Sequence, residues 1–266
     1  MNGEASAAPA DRPFDAGLQK VGFQPRETRD LIRAAARGPA GETRPQFVAR
    51  VYHEGSLGKV SERRVTNLMR GFYPRFVKPG VDLVELDALL ERLPEADGRM
   101  ILFWYLARSS GAMRALITGF LNPAFAAGAP DVGPAEANAW LAKELGERGL
   151  TWSLNSRLRV VRSALAALRD GGLVGGAPHS SRKTLLQPRV SLAVALYVLH
   201  TLVSGGARGA PALMGHEDWA LLTLSRVDVE GLMRDLDARG ALSFAVAGSI
   251  VRLDLRPFPE ALDAVL

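Results

Sequence analysis

Apolar residues three and four positions apart recur through the first half of the chain, in the stretches 27–37, 44–53, 61–76, 83–93, 99–108 and 111–121. That spacing places them on one face of a helix, so it predicts six amphipathic helices. Short turns at Gly38-Pro39, 55–58, Pro79-Gly80 and Pro94 separate the stretches, the punctuation of a bundle with antiparallel neighbours. The run GAPDVGP at 128–134 breaks the pattern and marks a boundary. The reading is a disordered tail over 1–18, a helical amino-terminal domain over 19–127, and a carboxy-terminal domain over 134–266.

After the boundary the pattern changes its partners. A helix over 135–148 leads into the stretch 150–189, LTWSLNSRLRVVRSALAALRDGG followed by a glycine-rich turn and SSRKTLLQPR. Ser153 suits an N-cap and Gly171-Gly172 a helix stop. At about 100° per residue, Leu154, Leu158, Val161, Leu165 and Leu168 share the inward face. Asn155, Arg159, Arg162, Ala166 and, at the edge, Arg169 share the outward one. Helix, tight turn, strand, basic loop and strand is the order of a winged-helix DNA reader. Further on, an apolar helix over 191–203, short helices over 216–222 and 227–239, and the strand-like runs ALSFAVA and SIVRLDL around Gly248 form a second such order. The fold class is therefore mainly α: a helical bundle followed by winged-helix-like modules with short β-hairpins.

Charge sharpens this picture. The chain carries 33 basic and 28 acidic residues, for a formal +5 and a pI near 9.9, a mild argument for an anionic partner. The distribution says more than the total. Residues 1–80 hold 14 basic against 8 acidic groups, and 151–190 hold seven basic against the single Asp170. The stretches 81–150 and 211–266 are each net −4. Two basic blocks alternating with acidic ones suit a chain with two surfaces for nucleic acid. The bias to 28 arginines over five lysines also fits a GC-rich coding sequence.

The second basic block centres on KVSERRVTNLMRGFYPRFVK at 59–78. Val65, Leu68, Met69, Phe72 and Phe76 form its inward stripe; Arg63, Asn67 and Arg70 lie opposite, with Arg64 and Arg75 flanking and Lys78 following. Pro74 ends or bends this helix. Two readings of such a face stand side by side: phosphate contact, or arginine stems covering apolar neighbours in a solvated surface. Tyr73 and Phe76, and all four tryptophans, suit packing better than base stacking.

Signatures of catalysis do not emerge. The histidines His53, His179, His200 and His216 lie far apart, and none has the spacing of a helical zinc pair. Cysteine is absent, which removes disulfides, thiolate ligands and a cysteine nucleophile. There is no phosphate-binding glycine loop with lysine and serine, no G-x-S-x-G and no G-x-G-x-x-G. His216-Glu217-Asp218 reads as a helix-start cluster. The expectation is a non-enzyme with no metal and no cofactor. The apolar run 100–127 is interrupted by Arg108 and Arg114, so no membrane span is expected. With no secretory signal at the start, the protein is expected to be soluble and cytoplasmic.

The phrases SERRVTNLMRGFYPRF, ILFWYLARSSGAMRALITGFLNPAF, LTWSLNSRLRVVRSALAALRDGGLV, GHEDWALL and DARGALSFAVAGSIVRLDL, in this order, resemble the BrxA-like proteins of bacterial BREX anti-phage systems. The resemblance runs from about Gln19 to Arg256. It implies a small non-enzymatic DNA-binding component that works beside a methyltransferase, a phosphatase-like protein and an ATPase. It also implies a NusB-like helical fold for the amino-terminal bundle. The helical faces themselves nominate the contacts to double-stranded DNA. Arg159, Arg162 and Arg169 would meet phosphates or the major groove, Asn155 a base edge, and Arg157 a phosphate near the helix start. Arg182, Lys183 and Arg189 would form the wing, and Arg63, Arg64, Arg70, Arg75 and Lys78 a second anchor. Two alternatives stay open: an assembly adaptor using the acidic carboxy-terminal module, and RNA binding of the NusB type.

Overall fold

Pro25 can open a helix without losing a bond, because the first-turn N–H groups have no intrahelical partner. In the computed structural model, which describes residues 14, 17–19, 22–177, 180–187, 189–248 and 250–266, it begins α1 (Pro25–Ala36). There follow α2 (Arg44–His53), α3 (Glu62–Phe72), α4 (Leu83–Arg92), α5 (Glu95–Ser109) and α6 (Gly111–Leu116). Their starts are written in short side chains. Ser61 Oγ accepts the Arg64 N–H at 3.2 Å, Asp82 takes those of Val84 and Glu85, and Ser110 caps α6 through Met113. Each such cap is worth about 1 kcal/mol.

Two wide π-helical turns follow α3 and α6, at Tyr73–Val77 and Ile117–Leu121. The first contains Pro74 and the second runs straight into Asn122-Pro123. A proline nitrogen cannot continue the ordinary ladder, and the chain widens by one residue instead. The helix expected over 61–76 therefore ends as an α-helix at Phe72. Phe76 nevertheless stays fully buried, its ring 5.2 Å from Phe72 and 4.9 Å from Tyr105.

The core of this bundle is α5, against which α1, α6 and the first π-turn pack. Every residue from 100 to 107 on it is buried. A helix apolar all round belongs inside, and its length explains why the apolar run fails as a membrane span. Among the described residues no helix is long and apolar enough to cross a bilayer. The chain continues through α7 (Asn122–Ala126), β1 (Asp131–Val132), α8 (Pro134–Glu147), α9 (Leu154–Asp170) and β2 (Lys183–Thr184). Strands β1 and β2 pair antiparallel, Asp131 opposite Thr184 and Val132 opposite Lys183. Val174 bridges Leu185 on the other side of β2.

The remaining elements are α10 (Leu192–Ser204), α11 (Ala210–Met214), a 3-10 turn at Glu217–Leu222, α12 (Arg226–Ala238), β3 (Leu242–Ala247), β4 (Ile250–Leu255) and α13 (Phe258–Asp263). The apolar α10 is buried among α11, α12 and α13. Strands β3 and β4 form the second two-stranded antiparallel sheet, from Leu242 opposite Leu255 to Ala247 opposite Ile250. The architecture is mainly helical with two small sheets.

Two compact units divide the chain, Met1–Leu185 and Leu186–Leu266. The division falls well past the 128–134 stretch that composition marks. The reason is β1: Asp131–Val132 is held by a strand some fifty residues later, and α9 packs on α5, α8 and the short turn Gly17–Gln19. Most of the expected tail over 1–18 lies outside the described residues. Leu18 is buried, however, and Phe14 stands 5.7 Å from Trp152. The turn expected at Ala247-Gly248-Ser249 includes Ser249, which also lies outside them.

Candidate nucleic-acid interface

Helix α9 is set by its two ends. Ser153 Oγ accepts the Ser156 N–H at 3.2 Å, and Gly172 takes the left-handed φ of +83° that lets Leu173 N–H reach Leu168 O at 2.9 Å. Between them Val160, Val161, Ala164, Leu165, Ala167 and Leu168 are buried. This differs from the expected inward stripe. Leu154 is 55% exposed and Leu158 only half-buried, while Val160, Ala164 and Ala167 join the core. The second half of α9 is enclosed from more than one direction, so its buried face is wide, whereas the first turn projects. Gly171 shows how close the enclosure is. A Cβ there would lie 2.5 Å from Cγ of Phe103 on α5.

The outward face divides into free and engaged groups. Asn155, Arg159 and Arg162 are exposed and have no hydrogen-bond or ion-pair partner among the described residues. They fall at i, i+4 and i+7, on one side of the helix. Arg157 is half-buried, donating to Trp152 O at 3.1 Å and to Asn138 Oδ1 at 3.4 Å. Arg169 turns back on Asp170, with both Nε (2.8 Å) and Nη2 (2.6 Å) on one carboxylate oxygen.

The loop after α9 is the stretch expected to form a basic wing, and two of the three cations named for it are engaged internally. Lys183 is 5% exposed, and its Nζ donates to Ala177 O at 2.7 Å and Ser180 O at 3.1 Å. Its ammonium therefore ties the loop instead of facing solvent. The position is inward because Lys183 alternates with the exposed Thr184 on β2. Arg182 donates through Nε to Asp131 and through Nη1 to Glu136 at 2.9 Å. Those hydrogen bonds, Asp131 first, raise its guanidinium above the ordinary arginine value. Pro178 and His179 of the loop lie outside the described residues. Arg189, in the second unit, is exposed and has no partner among the described residues.

On α3, Arg63 and Arg70 are exposed without partners among the described residues, and Lys78 beyond the π-turn likewise. Arg64 pairs with Glu27 at 3.1 Å. Arg75 is held in the π-turn, and burial lowers its guanidinium to about 10. Tyr73 is 37% exposed and lies under Arg44, whose guanidinium carbon is 5.7 Å from the ring centroid. Arg63, Asn67 and Arg70 repeat the i, i+4, i+7 arrangement of Asn155, Arg159 and Arg162. His216 Nδ1 accepts the Asp218 N–H at 3.2 Å, so the His-Glu-Asp cluster caps its own turn.

Three arginines outside the sequence-derived set also gather beside one member of it, Arg169. Arg26 and Arg29 on α1, Arg99 on α5 and Arg169 line one cleft. Their positions are up to 143 residues apart in number (26 to 169), so no local pattern reveals them.

The family model described as BrxA matches residues 12–200. Among solved structures, the chain is similar to an uncharacterised protein from Magnetospirillum magneticum. The two are 16% identical, with a TM-score of 0.59, over 72% of this chain and 95% of that one. At that identity the likeness is one of fold. Among curated proteins none matches.

Proposed function

The chain belongs to the BrxA family, and from that premise we propose that it is a non-enzymatic, double-stranded DNA-binding component of a BREX-type phage-defence system. The observation that carries this reading is the outer face of α9. Asn155, Arg159 and Arg162 stand exposed, without a partner among the described residues, on a helix whose other side is packed into the unit. Guanidinium groups so placed suit phosphates and guanine edges, and the asparagine suits an adenine edge. The surrounding order supports a winged-helix module: β1, then α8, α9, the Val174 bridge, a loop and β2, with β2 between its two neighbours. Helices α1 to α6 would be the NusB-like part. Arg63, Arg70 and Lys78 would add a second anchor, and Arg189 a further contact.

Fluorescence anisotropy of a labelled duplex of about 25 base pairs, titrated at several salt concentrations, tests the proposal. Binding should weaken log-linearly with salt, at a slope of about −0.9 for each neutralised phosphate. No binding at about 50 mM salt would remove the duplex reading. Structured RNA that competes better than the duplex would favour the alternative of NusB-type RNA binding.

One observation favours an assembly role for the second unit. Along α12 the exposed Val227 (79%) and Asp235 share a cleft with Asp228, Leu232 and Arg189, an acidic and apolar setting suited to protein. Co-purification with another defence component that survives nuclease treatment would support it.

A further inference from the structure

The cleft lined by Arg26, Arg29, Arg99 and Arg169 is not explained by duplex binding. It has a cavity volume of about 640 Å³, the size of a small-molecule site. Its apolar lining comes from Pro25, Leu90, Gly98 and Leu102. The first turns of two long helices, α1 and α5, border it, and neither has a side-chain cap. Their N–H groups add partial positive charge to the guanidiniums.

The cations differ in availability. Arg26 is exposed and has no partner among the described residues. Arg29 donates to Leu90 O, Arg99 pairs with Glu95 at 2.7 Å and Arg169 with Asp170. Four arginines against these two carboxylates leave a net positive rim over an apolar floor. A bare anion would use the rim and leave the floor empty. A planar ring would use the floor and stack on guanidinium planes, and a phosphate would use the rim.

We propose that this cleft binds a small phosphorylated ligand with a planar body, of the nucleotide class. Arg26 holds the phosphate, and Arg99 joins it on leaving Glu95, an exposed i, i+4 pair that costs little to break. The ring lies against Pro25 above the buried Leu90 and Leu102. The proposal is independent of duplex binding, since Arg26 and Arg99 belong to neither basic face described above.

Isothermal titration of the full chain with ATP, adenosine and inorganic phosphate in magnesium-free buffer tests it. ATP should bind with a Kd below about 100 µM, and adenosine and phosphate each at least about tenfold more weakly. Arg26→Ala with Arg99→Ala should weaken ATP at least about tenfold at an unchanged melting temperature, because both side chains are on the surface. Arg159→Glu with Arg162→Glu should leave ATP binding intact while duplex binding is lost. No heat from ATP up to about 1 mM would overturn the proposal. So would phosphate binding as tightly as ATP, or ATP binding that is lost in the α9 variant and kept in the cleft variant.

Discussion

The outer face of α9 and the loop that follows it carry similar basic charge in sequence and opposite kinds of charge in space. On α9, Arg159 and Arg162 project into solvent without a carboxylate among the described residues. In the loop, Lys183 is buried on two backbone carbonyls and Arg182 is bound to Asp131 and Glu136. A cation already satisfied by the protein must give up that partner before it can neutralise a phosphate. Counting basic residues measures supply, whereas affinity for a polyanion depends on the fraction left uncompensated. On the proposed duplex reading the free cations of the helix would serve recognition, whereas Lys183 ties the loop to itself and Arg182 ties it to β1 and the start of α8.

The largest effect should come from inverting the free charge. Arg159→Glu with Arg162→Glu is expected to weaken duplex binding by about 100-fold or more at near-physiological salt, and to flatten the salt slope. Both side chains are exposed, so the melting temperature should hold. Unchanged affinity in a folded variant would remove α9 from the interface. The packed side of the same helix should respond in the opposite way. Gly171→Ala places a methyl group 2.5 Å from Cγ of the fully buried Phe103. Overpacking of that kind costs about 1–3 kcal/mol, read as a lower denaturant midpoint. Because this wedge sets where α9 sits, duplex affinity should fall with stability in this variant alone.

Much of this arrangement is legible locally. The bounds of α2, the Ser153 cap, the glycine stop after α9 and the strands beside Gly248 all follow from short-range pattern. So does the outward set Asn155, Arg159 and Arg162, which depends only on helical periodicity. What escapes is anything decided by a distant partner. Strand β1 is two residues long and exists because Lys183–Thr184 lies beside it. The compensation of Arg182 comes from carboxylates 51 and 46 positions away. The short helices α7, α11 and α13 lack the length for a periodic signal. Leu154, expected inward, is exposed, and Ala164, assigned to neither face, is buried, because neighbouring elements, not the helix itself, decide how wide the covered face is.

Lys183→Met sharpens the contrast between tying and contacting. Loss of the ammonium leaves the carbonyls of Ala177 and Ser180 without their donor, at a cost of about 1–3 kcal/mol in stability. The salt slope of duplex binding should be unchanged, since no phosphate contact is lost. A lysine that neutralised a phosphate would behave in reverse, with stability kept and the slope reduced by about 0.9.

The smallest effect, and the only gain, should come from releasing Arg182. Asp131→Asn with Glu136→Gln removes the two negative charges that hold it. The Glu136 carboxylate also takes the Gly133 N–H at 2.5 Å. A side-chain amide oxygen at the same position can still accept that N–H, so the start of α8 keeps its cap. These carboxylates are partly solvent-exposed, and the melting temperature should barely move. Duplex affinity at about 100 mM salt should rise about threefold, with the slope steeper by about 0.9 if the freed guanidinium reaches one further phosphate. A rise in affinity with no change in slope would mean that repulsion was relieved at a distance within the Debye length. No rise at all would place the loop away from the duplex and leave α9 as the sole contact of this module.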